Sequence, residues 1–195
     1  MRLRRTTISI IVTISLLVWP YYVCGQDKTS DYVTLKIGRY TPTGDFDDAQ
    51  FDSSGNLELM YGHYVNENFA LEGGLVFFHS EGDDAPGYYD RDLTSSGLLV
   101  TAKAIYPTGR FEYYGGGGIG IYLPRLELYP MSQPATDESD VTAGVHALIG
   151  LNFNATEYWY LGIEGKYLWT DEADFNGIAV DIDGRVLTLN IGLRF

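Results

Sequence analysis

Residues 187–195 read "LTLNIGLRF". Leu187, Leu189, Ile191, Leu193 and Phe195 fall on one parity; Thr188, Asn190, Gly192 and Arg194 fall on the other. Strict period two over this length predicts a β-strand with one apolar and one polar face. The same alternation predicts eight strands in all, at roughly 32–40, 56–65, 69–79, 97–106, 111–123, 141–153, 157–169 and 185–195. No stretch sustains helical periodicity, and nothing beyond residue 25 is apolar for long enough to span a bilayer as a helix.

The connections sort by length. "NEN" (66–68), "PTGR" (107–110) and "NATE" (154–157) are tight turns, whereas the segments at about 41–55, 80–96, 124–140 and 170–184 are long and polar. Short turns at one end and long loops at the other, on an even number of strands of about ten residues, is the pattern of a transmembrane barrel. The expected fold is therefore all-β: an eight-stranded antiparallel up-and-down transmembrane β-barrel. The rival is a soluble sandwich, in which the polar face would meet water.

The polar parity favours the barrel. It carries Lys36, Glu58, Glu72, Lys103, Glu112, Glu164, Lys166 and Arg194, with Thr34, Thr101, Thr142, His146, Asn152, Thr188 and Asn190. Ten glycines share this face, from Gly38 and Gly62 to Gly192, although glycine weakens strands. A narrow lumen needs such small residues beside the large Tyr64, Tyr114, Tyr122 and Tyr160. The apolar parity places Phe69, Tyr106, Phe111, Phe153, Trp159 and Phe195 beside the short turns or the last strand's end, and Phe77, Tyr167 and Trp169 near the long loops. These are expected to be two interfacial aromatic belts.

The start of the chain reads differently. Arg2, Arg4 and Arg5 precede an apolar run from Ile8 to Trp19, and Val23 and Gly25 suit a cleavage site. Residues 1–25 are expected to be a secretory signal peptide, and 26–195 the barrel domain. Cys24 is the only cysteine, so an intrachain disulfide is excluded, and cleavage after Gly25 would remove it.

"LTLNIGLRF" resembles the C-terminal assembly signal of Gram-negative outer-membrane proteins, with Ile191, Leu193 and Phe195 as its apolar positions. "YWYLGIEGKYLW" and "DYVTLKIGRYTPTGDF" are similar to strands of small barrels in the OmpA/OmpW-like superfamily. The resemblance implies location in the outer membrane, both termini in the periplasm, and assembly by the barrel-assembly machinery. It also implies contact with outer-membrane lipid and lipopolysaccharide, and the peptidoglycan-binding half of full-length OmpA proteins is expected to be absent.

Charge refines this picture. The formal net charge is −13, and removal of the three leader arginines leaves −16. The four long loops hold 18 acidic residues against Arg91 and Arg125, so the rest of the mature chain is neutral. A balanced interior suits a low-dielectric lumen, where an unpaired charge is costly. Lys103 is expected to pair diagonally with Glu112 across the "PTGR" hairpin, near Glu72, in a structural ion-pair network. A gate or proton path is the alternative for these residues.

Candidate chemistry is sparse. "GDFDDAQFD" and "DEADF" could offer oxygen ligands to Ca²⁺ or Mg²⁺, also as bridges to lipopolysaccharide phosphates. Neither has the spacing of a calcium loop, so no metal site is expected. "GGGGIG" (115–120) lies within a strand with no helix after it, against a dinucleotide site. "NAT" at Asn154 is a sequon in form only. In "HSEG" (79–82) the adjacent His79 and Ser80 point to opposite faces, and neither His63 nor His146 has a nucleophile beside it in sequence. No enzymatic activity, cofactor or nucleic-acid partner is expected. Two roles remain: a structural or passive small-solute barrel, with hydrophobic solutes implied by the OmpW-like resemblance, or a surface-interaction protein binding through its acidic loops. An outer-membrane lipid-modifying enzyme is a distant third.

Overall fold

Each alternating stretch forms a strand, and each strand pairs antiparallel with its neighbour. The computed structural model describes residues 30–43, 54–82, 88–130, 136–175 and 178–195. Its strands are β1 (Asp31–Pro42), β2 (Ser54–Asn66), β3 (Phe69–Gly82), β4 (Tyr88–Thr108), β5 (Phe111–Pro130), β6 (Thr136–Ser139), β7 (Thr142–Asn154), β8 (Trp159–Thr170), β9 (Ala173–Phe175), β10 (Ile178–Val180) and β11 (Gly184–Arg194). The long strands β1, β2, β3, β4, β5, β7, β8 and β11 pair in that order, and β11 returns to β1. The ring closes with eight strands, all antiparallel. The expected leader and the first acidic loop cluster (44–52) lie outside the described residues.

Closure fixes the geometry. Stepping straight across the ladders from Asp31 gives His63, Leu71, Ala102, Gly117, Ala147, Tyr167 and Arg185, and then β1 again at Thr41. A stagger from residue 31 to residue 41 on eight strands implies a strand tilt of about 40° and a wall radius of about 8 Å. On this lattice Phe69, Tyr106, Phe111, Phe153, Trp159 and Phe195 fall within about 5 Å of one level. Phe77, Tyr167 and Trp169 lie roughly 22 Å higher, which matches an apolar band of about 25 Å. Between the belts the outward leucines, isoleucines and valines are exposed, and the inward parity is buried. That inversion of ordinary burial is what a wall facing hydrocarbon requires.

Inside, tyrosines fit over glycines. Tyr32 faces Gly62, Tyr114 faces Gly150 and Tyr160 faces Gly192 on adjacent strands, and a Cβ at any of these glycines would enter the tyrosine ring. At the β4–β5 turn, Gly109 has φ 61°, a left-handed conformation that favours glycine.

The loops differ from expectation. The alternation predicts loops at 80–96 and 124–140, yet β4 and β5 run for 21 and 20 residues. Their ladder continues from Ser96↔Leu123 to Tyr88↔Pro130, and β6 adds to it beside Arg125–Leu128. The strands therefore rise roughly 20 Å beyond the upper aromatic level. Parity lapses there, as in "YYDRD" (88–92), while the ladder continues around a register shift between Tyr88 and Asp90. Within 170–184, β9 and β10 form a small hairpin.

The seam depends on its last rows. Phe195 N–H donates to the Asp31 carbonyl at 2.9 Å, and Asp31 N–H reaches the Phe195 carbonyl at 3.4 Å. Deleting Phe195 should lower the amount of barrel in the outer-membrane fraction, read as heat-modifiable mobility on gels. Wild-type levels would show that this row is dispensable for closure.

Candidate functional site: a buried ring of charge

The inward parity brings three lysines and three glutamates to mid-height of the wall. Lys36 comes from β1, Glu58 from β2, Glu72 from β3, Lys103 from β4, and Glu164 and Lys166 from β8. All six are buried, from 0% exposure at Glu58 to 7% at Lys166. They form a closed circuit of alternating sign. Lys166 Nζ lies 2.7 Å from Glu58, whose other oxygen is 3.8 Å from Lys36. Lys36 is 3.6 Å from Glu72, and Lys103 is 2.7 Å from Glu72 and 3.2 Å from Glu164. Glu164 returns to Lys166 at 3.8 Å and accepts a bond across the ring from Lys36 at 2.8 Å.

Neutral donors complete the circuit. Tyr32 OH donates to Glu72 at 2.9 Å, Tyr114 OH to Glu164 at 3.1 Å, and Asn56 Nδ2 to Glu58 at 3.2 Å. Asn190 donates to the Tyr114 hydroxyl at 3.3 Å and accepts from Thr188 at 2.8 Å. Lys103 Nζ also lies 4.3 Å from the Tyr114 ring centroid. Three positive and three negative charges cancel, so the ring holds six ions with no net charge. Removing one member would leave an uncompensated charge in a dry interior. His146 stands above the ring, with Nε2 bonded to Thr101 Oγ1 at 2.9 Å and Nδ1 buried without a hydrogen bond.

Two expected members lie elsewhere. Glu112 and Arg194 sit near the turn end, joined at 2.7 Å. Arg194 also donates to Tyr64 OH at 3.1 Å and Asn154 Oδ1 at 2.9 Å, and its guanidinium lies 4.7 Å from the Tyr160 ring centroid. The expected Lys103–Glu112 pair does not form. The β4–β5 register sets Lys103 opposite Gly116 and Glu112 opposite Pro107, so the two point to different levels. Glu112 instead meets Arg194 across the lumen. Sequence reasoning also missed Tyr32, which shares the inward parity, and a polar trio on the outer wall, Asp31–Tyr61–His63.

The candidates for chemistry stay apart. Ser80 is buried while His79 bonds Thr94 on the outer side at 3.2 Å. "GGGGIG" lies within β5, and Asn154 ends β7 at the third tight turn. Among the described residues no cluster of His, Cys, Asp and Glu has the geometry of a metal site.

Residues 14–195 match the profile of the outer membrane protein beta-barrel domain. The chain belongs to that family. It is an integral protein of the Gram-negative outer membrane. Solved structures with the same fold include the outer membrane protein OprG from Pseudomonas aeruginosa, 16% identical over 86% of this chain and 97% of OprG, with a TM-score of 0.62. Neisserial surface protein A is 16% identical over 87% and 100% of the two chains, with a TM-score of 0.58. Ail, the attachment invasion locus protein of Yersinia pestis, is 13% identical over 87% and 100%, also at 0.58. At these identities the likeness concerns the fold alone. No curated protein sequence gives a significant match.

For this barrel the ring yields a discriminating test. Lys103→Met should destabilise by about 3–5 kcal/mol, the cost of stranding a buried partner. Adding Glu72→Gln should recover a large part of that loss, and adding Glu112→Gln should recover none. Urea unfolding of the folded barrel in lipid vesicles measures all three variants. Recovery by Glu112→Gln would restore the hairpin pairing that the register excludes.

Proposed function

We propose that this outer-membrane barrel is a non-conducting scaffold that acts at the cell surface, through the acidic segments at its long-loop end. The observation that carries this reading is the filled lumen. Arg194, Glu112 and Tyr64 occupy the turn end, the six-charge ring the middle, and a cluster including Tyr40, Phe78, Leu93, Tyr122, Leu168 and Ile182 the loop end. Each layer ties strands together across the lumen. Passive transport along the axis would need these layers to part, so a small hydrophobic solute would have to use a side route.

On this reading the turn end and both termini face the periplasm, and the upper parts of β3, β4 and β5, with the short β6, face outward. The four long-loop segments together carry the acidic surplus of −16, which suits cationic partners and divalent bridges to lipopolysaccharide phosphate. The aromatic belts seat the wall in lipid, and Ile191, Leu193 and Phe195 on the closing strand serve the assembly machinery.

Reconstituted protein should give no stable open-pore current in planar bilayers. In the same preparation of cells, a cysteine at the exposed Ser139 should be labelled from outside, and one at Thr108 only after lysis. Large steady currents would contradict the scaffold reading, and the reverse labelling would invert its orientation.

A further inference from the structure

Near the lower aromatic belt the outer wall carries a polar group of residues that the lumen does not explain. Asp31 pairs with His63 in the β1–β2 ladder, and Tyr61 stands two residues further along β2. All three side chains belong to the outward parity. Asp31 Oδ1 accepts from Tyr61 OH at 2.7 Å and lies 2.8 Å from His63 Nδ1. Asp31 Oδ2 has a weaker contact, with Ser30 Oγ at 3.4 Å. The His63 side chain is 52% exposed and that of Asp31 29%.

Position makes this group unusual. On the barrel lattice Asp31 lies at the level of the lower aromatic belt, and His63 about 3 Å above it, toward the hydrocarbon. Around them the outward residues are Val33, Leu59, Val65, Leu193 and Phe195. A carboxylate is therefore held on an apolar wall, at headgroup depth, by two donors on Oδ1, while Oδ2 meets the Ser30 hydroxyl at 3.4 Å. In the tautomer that directs Nδ1–H at Asp31, the lone pair of Nε2 faces outward. The site thus offers two acceptors and one negative charge, and its chemical complement is a cation that carries N–H donors.

We propose that Asp31, His63 and Tyr61 form a binding site for the primary ammonium of a phosphatidylethanolamine headgroup in the leaflet at the turn end. The ammonium donates to Asp31 Oδ2 and His63 Nε2, while Tyr61 holds the carboxylate in place. A quaternary choline has no N–H to donate, and phosphatidylglycerol has no cation. The proposal rests on the turn end facing the periplasmic leaflet, but its test does not, because detergent-solubilised protein exposes both ends.

The folded barrel is equilibrated in mild detergent with equal amounts of phosphatidylethanolamine, phosphatidylcholine and phosphatidylglycerol of matched acyl chains. Retained lipid is counted by native mass spectrometry. Wild type should retain phosphatidylethanolamine about threefold to fivefold above either competitor, the scale of a half-exposed charge pair. Asp31→Asn should abolish the preference and His63→Leu should reduce it, both with unchanged heat-modifiable mobility. Should either variant fail to show that mobility, Tyr61→Phe, which keeps the ring, is measured in its place and should reduce the preference. Equal retention of phosphatidylethanolamine and phosphatidylcholine by wild type, or a preference that survives these substitutions, overturns the proposal.

Discussion

The architecture depends on placing six ions where water is scarce. A barrel of eight strands has a wall radius of about 8 Å, which leaves room for side chains and little else. Within it Lys36, Lys103 and Lys166 alternate with Glu58, Glu72 and Glu164, and each charge has an opposite neighbour within 3.8 Å. Burying any one alone would be costly; burying them as a neutral circuit turns the same groups into cross-links between β1, β2, β3, β4 and β8. Adjacent strands are already joined by their ladders. The ring joins strands that are not adjacent, such as β1 to β8 through Lys36 and Glu164. It therefore resists flattening of the barrel, which backbone hydrogen bonds alone do not.

Other layers follow from the same confinement. Tyrosine rings need space that the wall supplies only opposite glycine, hence the pairs Tyr32–Gly62, Tyr114–Gly150 and Tyr160–Gly192. Those rings in turn deliver hydroxyls to the ring carboxylates, from Tyr32 to Glu72 and from Tyr114 to Glu164. At the turn end Arg194 joins the final strand to β5, β7 and β2 through Glu112, Asn154 and Tyr64. Closure of the seam and filling of the lumen are thus parts of one arrangement. On the proposed reading, activity belongs to the surfaces of this barrel rather than to its axis.

Alternation alone made the strands, their number, their facing and the inward set of charges legible, because the side-chain period of a strand is two whatever its partners. Which glutamate meets which lysine was not legible. That depends on stagger: the straight path around the wall returns to β1 displaced from Asp31 to Thr41, so inward residues meet across the lumen at levels no hairpin reveals. Lys103 and Glu112 flank one turn yet bind different partners for this reason. The upper halves of β4 and β5 were hidden by a different cause. Above the membrane neither face is selected for greasiness, and a run such as Tyr88–Asp92 carries no parity, though it still pairs with β5 around a register shift between Tyr88 and Asp90.

The most direct test of the central claim is NMR of the folded barrel with ¹⁵N-labelled lysine side chains and ¹³Cδ-labelled glutamate. The account predicts slowly exchanging ammonium protons at Lys36, Lys103 and Lys166. It also predicts short-range contacts from Lys166 to Glu58, from Lys36 to Glu164 and from Lys103 to Glu72. Ammonium groups that exchange at the rate of free lysine, or a Lys103 contact to Glu112 in place of Glu72, would contradict a closed, dry ring of charge.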